Sequence, residues 1–279
     1  MRGTSGRHRA TVKVLRTVDG GRHWQRVMTP VANLSGSYLG AVDFVDNQHG
    51  WVVSSAGTVG DQFVFSTADG GRTWDQQGPR GDPANLFGID SVDGRTVVAV
   101  GYACCVGPQI TRSTDSGETW EVLPQQLSPY GGRYRAVQLA TVSTGWISGD
   151  AGALLKTTDG GATWRQQNPL GLYGSGATFV DPSFASEQSG WVAAYVSSSE
   201  GFLLHTTDGG RTWVKQPVPV PAVTRVVATP GGGVWVGGDG AVGHSTDGGD
   251  TWTVERPARN ASYGAIAVAG SDVWAAVPT

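Results

Sequence analysis

The sequence predicts an all-β protein assembled from repeats, and three observations carry that prediction. The first is an eight-residue turn that occurs six times, as Thr17 to Trp24 and in the segments ending at Trp74, Trp120, Trp164, Trp213 and Trp252. Each copy reads Ser or Thr, any residue, Asp, Gly or Ser, Gly, any residue, Thr (His once), Trp. The second is the spacing. The aspartates of these turns, Asp19, Asp69, Asp115, Asp159, Asp208 and Asp247, are separated by 50, 46, 44, 49 and 39 residues, the length of a four-stranded antiparallel unit. The third is composition: 43 glycines in 279 residues with only 15% charged residues suit a compact β protein rich in tight turns.

Within each turn the residue types have separate tasks. The Asp side chain is expected to bond backbone N–H groups two residues on, and the glycines supply positive φ without a Cβ penalty. The Thr then returns the chain to extended geometry. The Trp opens the next strand with a large apolar face to bury against a neighbouring unit.

Upstream of most turns lies a second signature, an apolar strand, a short polar turn, then Gly-Trp or Val-Trp. It appears as Val42 to Phe44 before Trp51, Val137 to Leu139 before Trp146, and Phe184 before Trp191. Val226-Val227 before Trp235 and Ile266 to Val268 before Trp274 complete the series; in the third unit Ile89 plays the first part and Thr96-Val97 replaces the Trp. The first turn has one strand ahead of it, Thr11 to Leu15, and the last Trp signature has no turn after it. Passing from Asp247 through the C-terminus to Asp19 spans 51 residues, one further period. The terminal strands are therefore expected to share one sheet, which would protect edges otherwise left unpaired.

The six turns resemble the Asp-box (bacterial neuraminidase) repeat, and that resemblance implies a β-propeller in which each box joins the third and fourth strands of a blade. The expected fold is a single propeller of four-stranded blades, six in number with seven as the alternative, over 11–279, preceded by a flexible segment at 1–10. Boxes and first-to-second-strand turns would lie on one rim. The second-to-third-strand turns and the connections between blades, at 29–39, 78–87, 124–134, 168–177 and 216–223, would lie on the other, and such loops on a rigid scaffold usually carry binding.

A net charge of -3 and a pI near 5.9 give no basic excess for phosphate recognition, so nucleic acid is not expected as a partner. No apolar run approaches the roughly 20 residues of a membrane-spanning helix, and no apolar segment follows the basic residues of 1–10 as in a signal peptide. The box tryptophans Trp24, Trp74, Trp120, Trp164, Trp213 and Trp252, with the five second-strand tryptophans, account for all 11, and packing explains each. The box aspartates are likewise structural. His8, His23, His49, His205 and His244 have no ligand spacing, so neither metal nor cofactor is expected, and His205 and His244 should face outward on third strands.

Three features keep chemistry open. Asp43 and Asp90 fall at equivalent positions of innermost strands, with Gln138 third in that series, and Asp150 and Asp239 fall in turns. Two carboxylates roughly 5 to 10 Å apart can act as acid and base on a glycoside; polar lining of a watered channel is the plainer reading. Cys104 and Cys105 are adjacent, and are read as free thiols, as a strained, reducible vicinal disulfide, or as a pair in metal or redox use. Finally, Tyr38, Phe87, Tyr130, Arg133, Tyr134, Arg135, Tyr173, Arg225 and Tyr263 fall in or beside inter-blade connections, with Arg133 and Arg135 on one side of a strand if the strand has begun.

The pattern in Phe44-Val45-Asp46, Gly50-Trp51 and Thr67 to Trp74, and again in Phe179-Val180-Asp181, Gly190-Trp191 and Thr206 to Trp213, resembles the photosystem II stability and assembly factor-like propellers over nearly the whole chain. That resemblance implies a non-catalytic scaffold holding a protein or peptide client, partly through an arginine-rich surface, in a periplasmic or secreted setting; a monomer is expected. Here Arg133, Arg135 and Arg225 are the candidate anchors among Tyr38, Phe87, Tyr134, Tyr173 and Tyr263. The alternative is a glycoside hydrolase or glycan-binding propeller acting on a polysaccharide.

Overall fold

The computed structural model describes residues 14–19, 21–27, 38–55, 62–78, 84–103, 106–124, 130–197, 200–256, 265–269 and 272–276. These form antiparallel β structure with two single 3-10 turns. A short hairpin, β1 (Val14–Arg16) and β2 (Gln25–Val27), comes first. The first four-stranded sheet is β3 (Tyr38–Phe44), β4 (Gly50–Ser55), β5 (Gln62–Thr67) and β6 (Asp75–Gln77), paired in chain order. The second is β7 (Ala84–Ser91), β8 (Val97–Ala103), β9 (Gly107–Ser113) and β10 (Glu121–Val122); the third is β11 (Tyr134–Leu139), β12 (Gly145–Gly149), β13 (Leu154–Thr157) and β14 (Arg165–Gln167). The fourth is β15 (Thr178–Phe184), β16 (Gly190–Ser197), β17 (Glu200–Thr206) and β18 (Val214–Pro217), and the fifth β19 (Arg225–Ala228), β20 (Val234–Gly238), β21 (Ala241–Ser245) and β22 (Thr253–Glu255). A two-stranded sheet, β23 (Ala265–Ala269) with β24 (Asp272–Ala276), ends the series. Residues 1–10, Cys104, Cys105 and Tyr263 lie outside the described residues.

The boxes of the five full sheets sit between third and fourth strands, the first box joins β1 to β2, and their hydrogen bonds differ from the expected ones. In the turn at Asp159 the carboxylate reaches four residues on, accepting from the Thr163 N–H at 2.9 Å and the Thr163 hydroxyl at 2.6 Å. The nearer donor, the Gly161 N–H, goes to the Thr157 hydroxyl at 2.9 Å, and that hydroxyl donates to Asp159. The cause is the backbone: Gly160 and Gly161 both hold left-handed φ, +67° and +82°, which curls the loop until residue 163 faces the carboxylate. The Trp164 indole N–H closes the turn on the Gly161 carbonyl at 3.0 Å. In the first box His23 Nδ1 takes the place of the threonine hydroxyl against Asp19.

Adjacent sheets meet by a repeated set of contacts. The first and second strands of each sheet pack on the first strand of the next, from β3 and β4 on β7 through to β19 and β20 on β23. At the inner seam one side chain near the end of each first strand accepts a backbone N–H of the next first strand. Asp43 takes Ser91, Asp90 takes Leu139, Gln138 takes Phe184 and Ser183 takes Ala228. Farther out, the second-strand tryptophan covers the second box glycine of the following sheet: a Cβ on Gly210 would lie 2.2 Å from Trp146, and one on Gly249 2.7 Å from Trp191. Val98 does this work over Gly161 where the Trp is missing. Apolar clusters fill the seams, with Trp146, Phe179 and Leu204 completely or almost completely buried in one of them.

Two residue expectations change. His205 and His244 do not face outward; each lies flat on a second-strand tryptophan, at 3.8 Å from Trp191 and 3.9 Å from Trp235. They occupy the register opposite those tryptophans, as Lys156 does opposite Trp146. Trp24 remains 54% exposed, because the β1–β2 hairpin stands over an open groove of about 460 Å³ against Phe44, Gly71 and Trp74.

Candidate functional site

Backbone hydrogen bonds separate the two rims. The boxes bond the first-to-second-strand turns, as in Gly70 N–H to Gln48 O and Gly160 N–H to Ser143 O, both 2.8 Å. The second-to-third-strand turns bond the inter-sheet connections instead: Asp150 N–H to Arg133 O at 3.0 Å, Gly152 N–H to Ala177 O at 2.7 Å and Asp239 N–H to Pro221 O at 2.9 Å. The second rim therefore gathers irregular segments that are far apart in sequence.

Its best-built part lies where 130–135, the 3-10 turn Asp150–Gly152 and 168–177 meet. Asp150 is the hub. Its carboxylate accepts the Arg133 N–H at 3.1 Å and pairs with Arg135 Nε at 2.5 Å. The backbone of Arg133 and the side chain of Arg135 meet one acid for a reason the spacing did not give: Arg133 precedes β11, and Arg135 is a bulge residue that the β11–β12 register skips. Equivalent bulges skip Gly40, Phe87 and Val180 in β3, β7 and β15, and such bulges re-aim side chains at a rim.

The aromatic residues divide. Tyr130 and Tyr173 meet edge to face, with centroids 5.1 Å apart. Tyr134 is buried in the cluster between the second and third sheets, and burial first, then the neighbouring Tyr173 hydroxyl, pushes its own hydroxyl up to about 12. It supports the rim rather than presenting a ring on it. Arg225 begins β19, two sheets away from Arg133, and its charge acts on the half-buried Asp181 carboxylate. Phe87 is half-buried on β7, and Tyr38 is the first residue of β3. Arg133, Arg135 and Tyr173 thus share one locality, whereas Tyr38, Phe87 and Arg225 sit on other sheets.

The inner-strand acids are close enough to interact. Burial raises Asp43, against the N–H donors of Ser91 and Phe44. Burial, then the charge of Asp43, holds Asp90 well above the usual carboxylate range. Each nevertheless spends an oxygen on a backbone N–H of the neighbouring sheet, which is a structural use. Asp181 does the same for Val226, and burial raises it to about 6 despite the nearby Arg225 charge. Among the described residues no group of three or more His, Cys, Asp or Glu is arranged to hold a metal, and no helix is long and apolar enough to cross a membrane.

Comparison with known proteins adds three findings. Residues 130–222 match the family described as photosynthesis system II assembly factor YCF48. Among solved structures, YCF48 bound to D1 peptide superposes with a TM-score of 0.63 at 19% identity, covering 86% of this chain and 75% of that one. YCF48 from Cyanidioschyzon merolae gives 0.51 at 20% identity, covering 90% and 95%. A GH74 xyloglucanase from Xanthomonas campestris gives 0.57 at 18% identity, covering 80% of this chain but 38% of that one. No curated protein matches the chain significantly.

Proposed function

We propose that this Asp-box propeller, which resembles the photosystem II assembly factor, is a non-catalytic scaffold that binds a protein or peptide partner on the rim of inter-sheet connections. One observation carries the reading: the segment matched by the family, 130–222, is the segment whose connections and turn converge on Asp150 with Arg133, Arg135 and Tyr173. Arginine and aromatic side chains dominate protein-binding hot spots, and a guanidinium can fork onto a carboxylate. Arg133, Arg135 and Arg225 are the proposed anchors. Capture of partners from a source lysate by the wild type and by the Arg133→Ala/Arg135→Ala/Arg225→Ala protein tests it. Partners should disappear from the variant, and identical partner lists at matched stability would remove the idea.

The adjacent, raised carboxyls of Asp43 and Asp90 favour a second reading, a glycoside hydrolase. Their hydrogen bonds to the neighbouring sheet weigh against it. A chromogenic glycoside panel decides, since an enzyme would lose turnover on Asp90→Asn.

We also propose that β23, β24, β1 and β2 complete a sixth blade and close the ring within a single domain spanning 11–279. Arg16 on β1 lies against Gly70 of the first sheet's box, just as Arg112 and Lys156 donate to Gly160 O and Gly209 O of the boxes that follow them. That is the place of a third strand preceding the first sheet. β23 packs on β19 and β20 as a first strand does.

A further inference from the structure

The loop 168–177 contains a costly arrangement that packing does not explain. Leu170 holds φ +54° and ψ +22°, a left-handed conformation that costs a residue with a Cβ about 1 kcal/mol or more. It is also 55% exposed, so burial returns little of that cost. Glycine would make the same turn without strain and asparagine with less of it, and neither would expose an apolar side chain; strained, unrewarded residues concentrate at functional sites.

Beside it in the same loop, Tyr173 meets Tyr130, which is 58% exposed. The Tyr130 ring is seated on backbone: a Cβ on Gly174 would come within 2.6 Å of Cζ, and Gly174 holds φ +81°. Only glycine lets the ring lie there, so the ring is fixed while much of its surface faces water. The local charge is unbalanced. Asp150 is shared between the Arg133 N–H and the Arg135 guanidinium, and among the described residues no carboxylate pairs with the exposed Arg133 guanidinium.

The geometry points to a docking site at Tyr130, Leu170, Tyr173 and Arg133 for an extended acidic peptide segment that places a bulky apolar side chain next to an Asp or Glu. The inference rests on the partner-binding reading of this rim and locates it on one loop pair. The apolar side chain lies against the fixed ring and Leu170. The adjacent carboxylate pairs with Arg133, the cation that Asp150 leaves uncompensated, and a rigid aromatic contact needs little ordering on binding.

The test is selection of a phage-displayed random peptide library on the full-length folded protein, followed by fluorescence anisotropy of the selected peptides. Selected peptides should carry an aromatic, Leu or Ile residue adjacent to Asp or Glu, and should bind about tenfold or more weakly to Tyr130→Ser, Leu170→Asn and Arg133→Glu. Leu170→Asn keeps the left-handed turn, so its melting temperature should be unchanged or higher, which separates lost binding from lost fold. Peptides that bind all three variants like the wild type but fail on the triple arginine variant would overturn this site and leave the scaffold reading standing. A selection that enriches nothing would overturn the peptide site, and capture of partners from lysate then decides the scaffold reading separately. Tyr130-dependent signal on a glycan array without peptide binding would overturn the peptide site in favour of a sugar platform.

Discussion

At the scale of residues, the box works because its side-chain hydrogen bonds are local, within four residues, so the same positions fold alike from sheet to sheet. Ser113, Thr157, Thr206 and Ser245 each cap the second glycine N–H, and the Asp takes the residue four on. The Thr212 hydroxyl and N–H pull the Asp208 carboxyl down to about 2, and Thr119 does the same for Asp115. One box breaks the pattern at a measurable cost. Ser116 holds φ +64° where the other boxes carry glycine, and its N–H is committed to Arg95 O at 2.9 Å, so the loop cannot relax away from the left-handed region. Ser116→Gly should stabilise the protein by about 0.5–1 kcal/mol, since relief of the native strain exceeds the extra freedom of the unfolded chain. Urea denaturation checks it, and a lower midpoint would show that the serine is not strained.

At the scale of elements, first strands are tied to one another by a position rather than by a residue type. Asp43, Asp90, Gln138 and Ser183 all supply an oxygen to the next strand's N–H, and a series reading Asp, Asp, Gln, Ser announces no common purpose in sequence. Strand locations and box turns were legible because each rests on a repeated local pattern. The tethers and bulges were not, because they depend on the backbone of a neighbouring sheet. The tethers set an unusual pH dependence. A carboxyl raised above its unfolded value of 3.8 stays protonated in the fold, so its contribution is greatest at low pH and is lost as pH rises toward about 6, the value for Asp181. Asp43 and Asp90 shift the same way. The box carboxyls are depressed, and their contribution is lost as pH falls from 3.8 through about 2. Stability should therefore peak at about pH 4 to 5 and decline toward neutrality. The Asp43→Asn/Asp90→Asn protein, which keeps both acceptor oxygens, should lose part of that decline and melt higher at pH 7. A wild-type melting temperature that climbs steadily from pH 5 to pH 8 would refute the assignment.

At the scale of the whole molecule, the period and the two signatures were enough to anticipate the order of sheets and the separation of the rims, and topology alone then indicated the Arg133–Arg135 locality. The hub at Asp150 and the exposed Leu170 were not legible, because a 3-10 turn and a left-handed leucine leave no composition signal, and Tyr134 was misplaced because strand start and burial are decided by the adjoining sheet. The remaining question at this scale is closure. Each seam between full sheets is held by inner tethers and apolar packing, so the chain should behave as one cooperative body if the last two-stranded sheet joins the first. Removing 262–279 then does more than trim an end. It takes away β23 and β24, uncovers Val227, Trp235 and Val242 of the fifth sheet, and, if the ring closes as proposed, leaves β1 and β2 as a two-stranded unit, which is marginal in water without further strands. Loss of the closing seam should lower the melting temperature markedly and broaden the transition, because a broken ring can fray sheet by sheet from both ends. Differential scanning calorimetry of the full chain and the truncated protein reads both effects. An unchanged melting curve would mean that the terminal strands are not a shared blade, and that the five full sheets hold together without them.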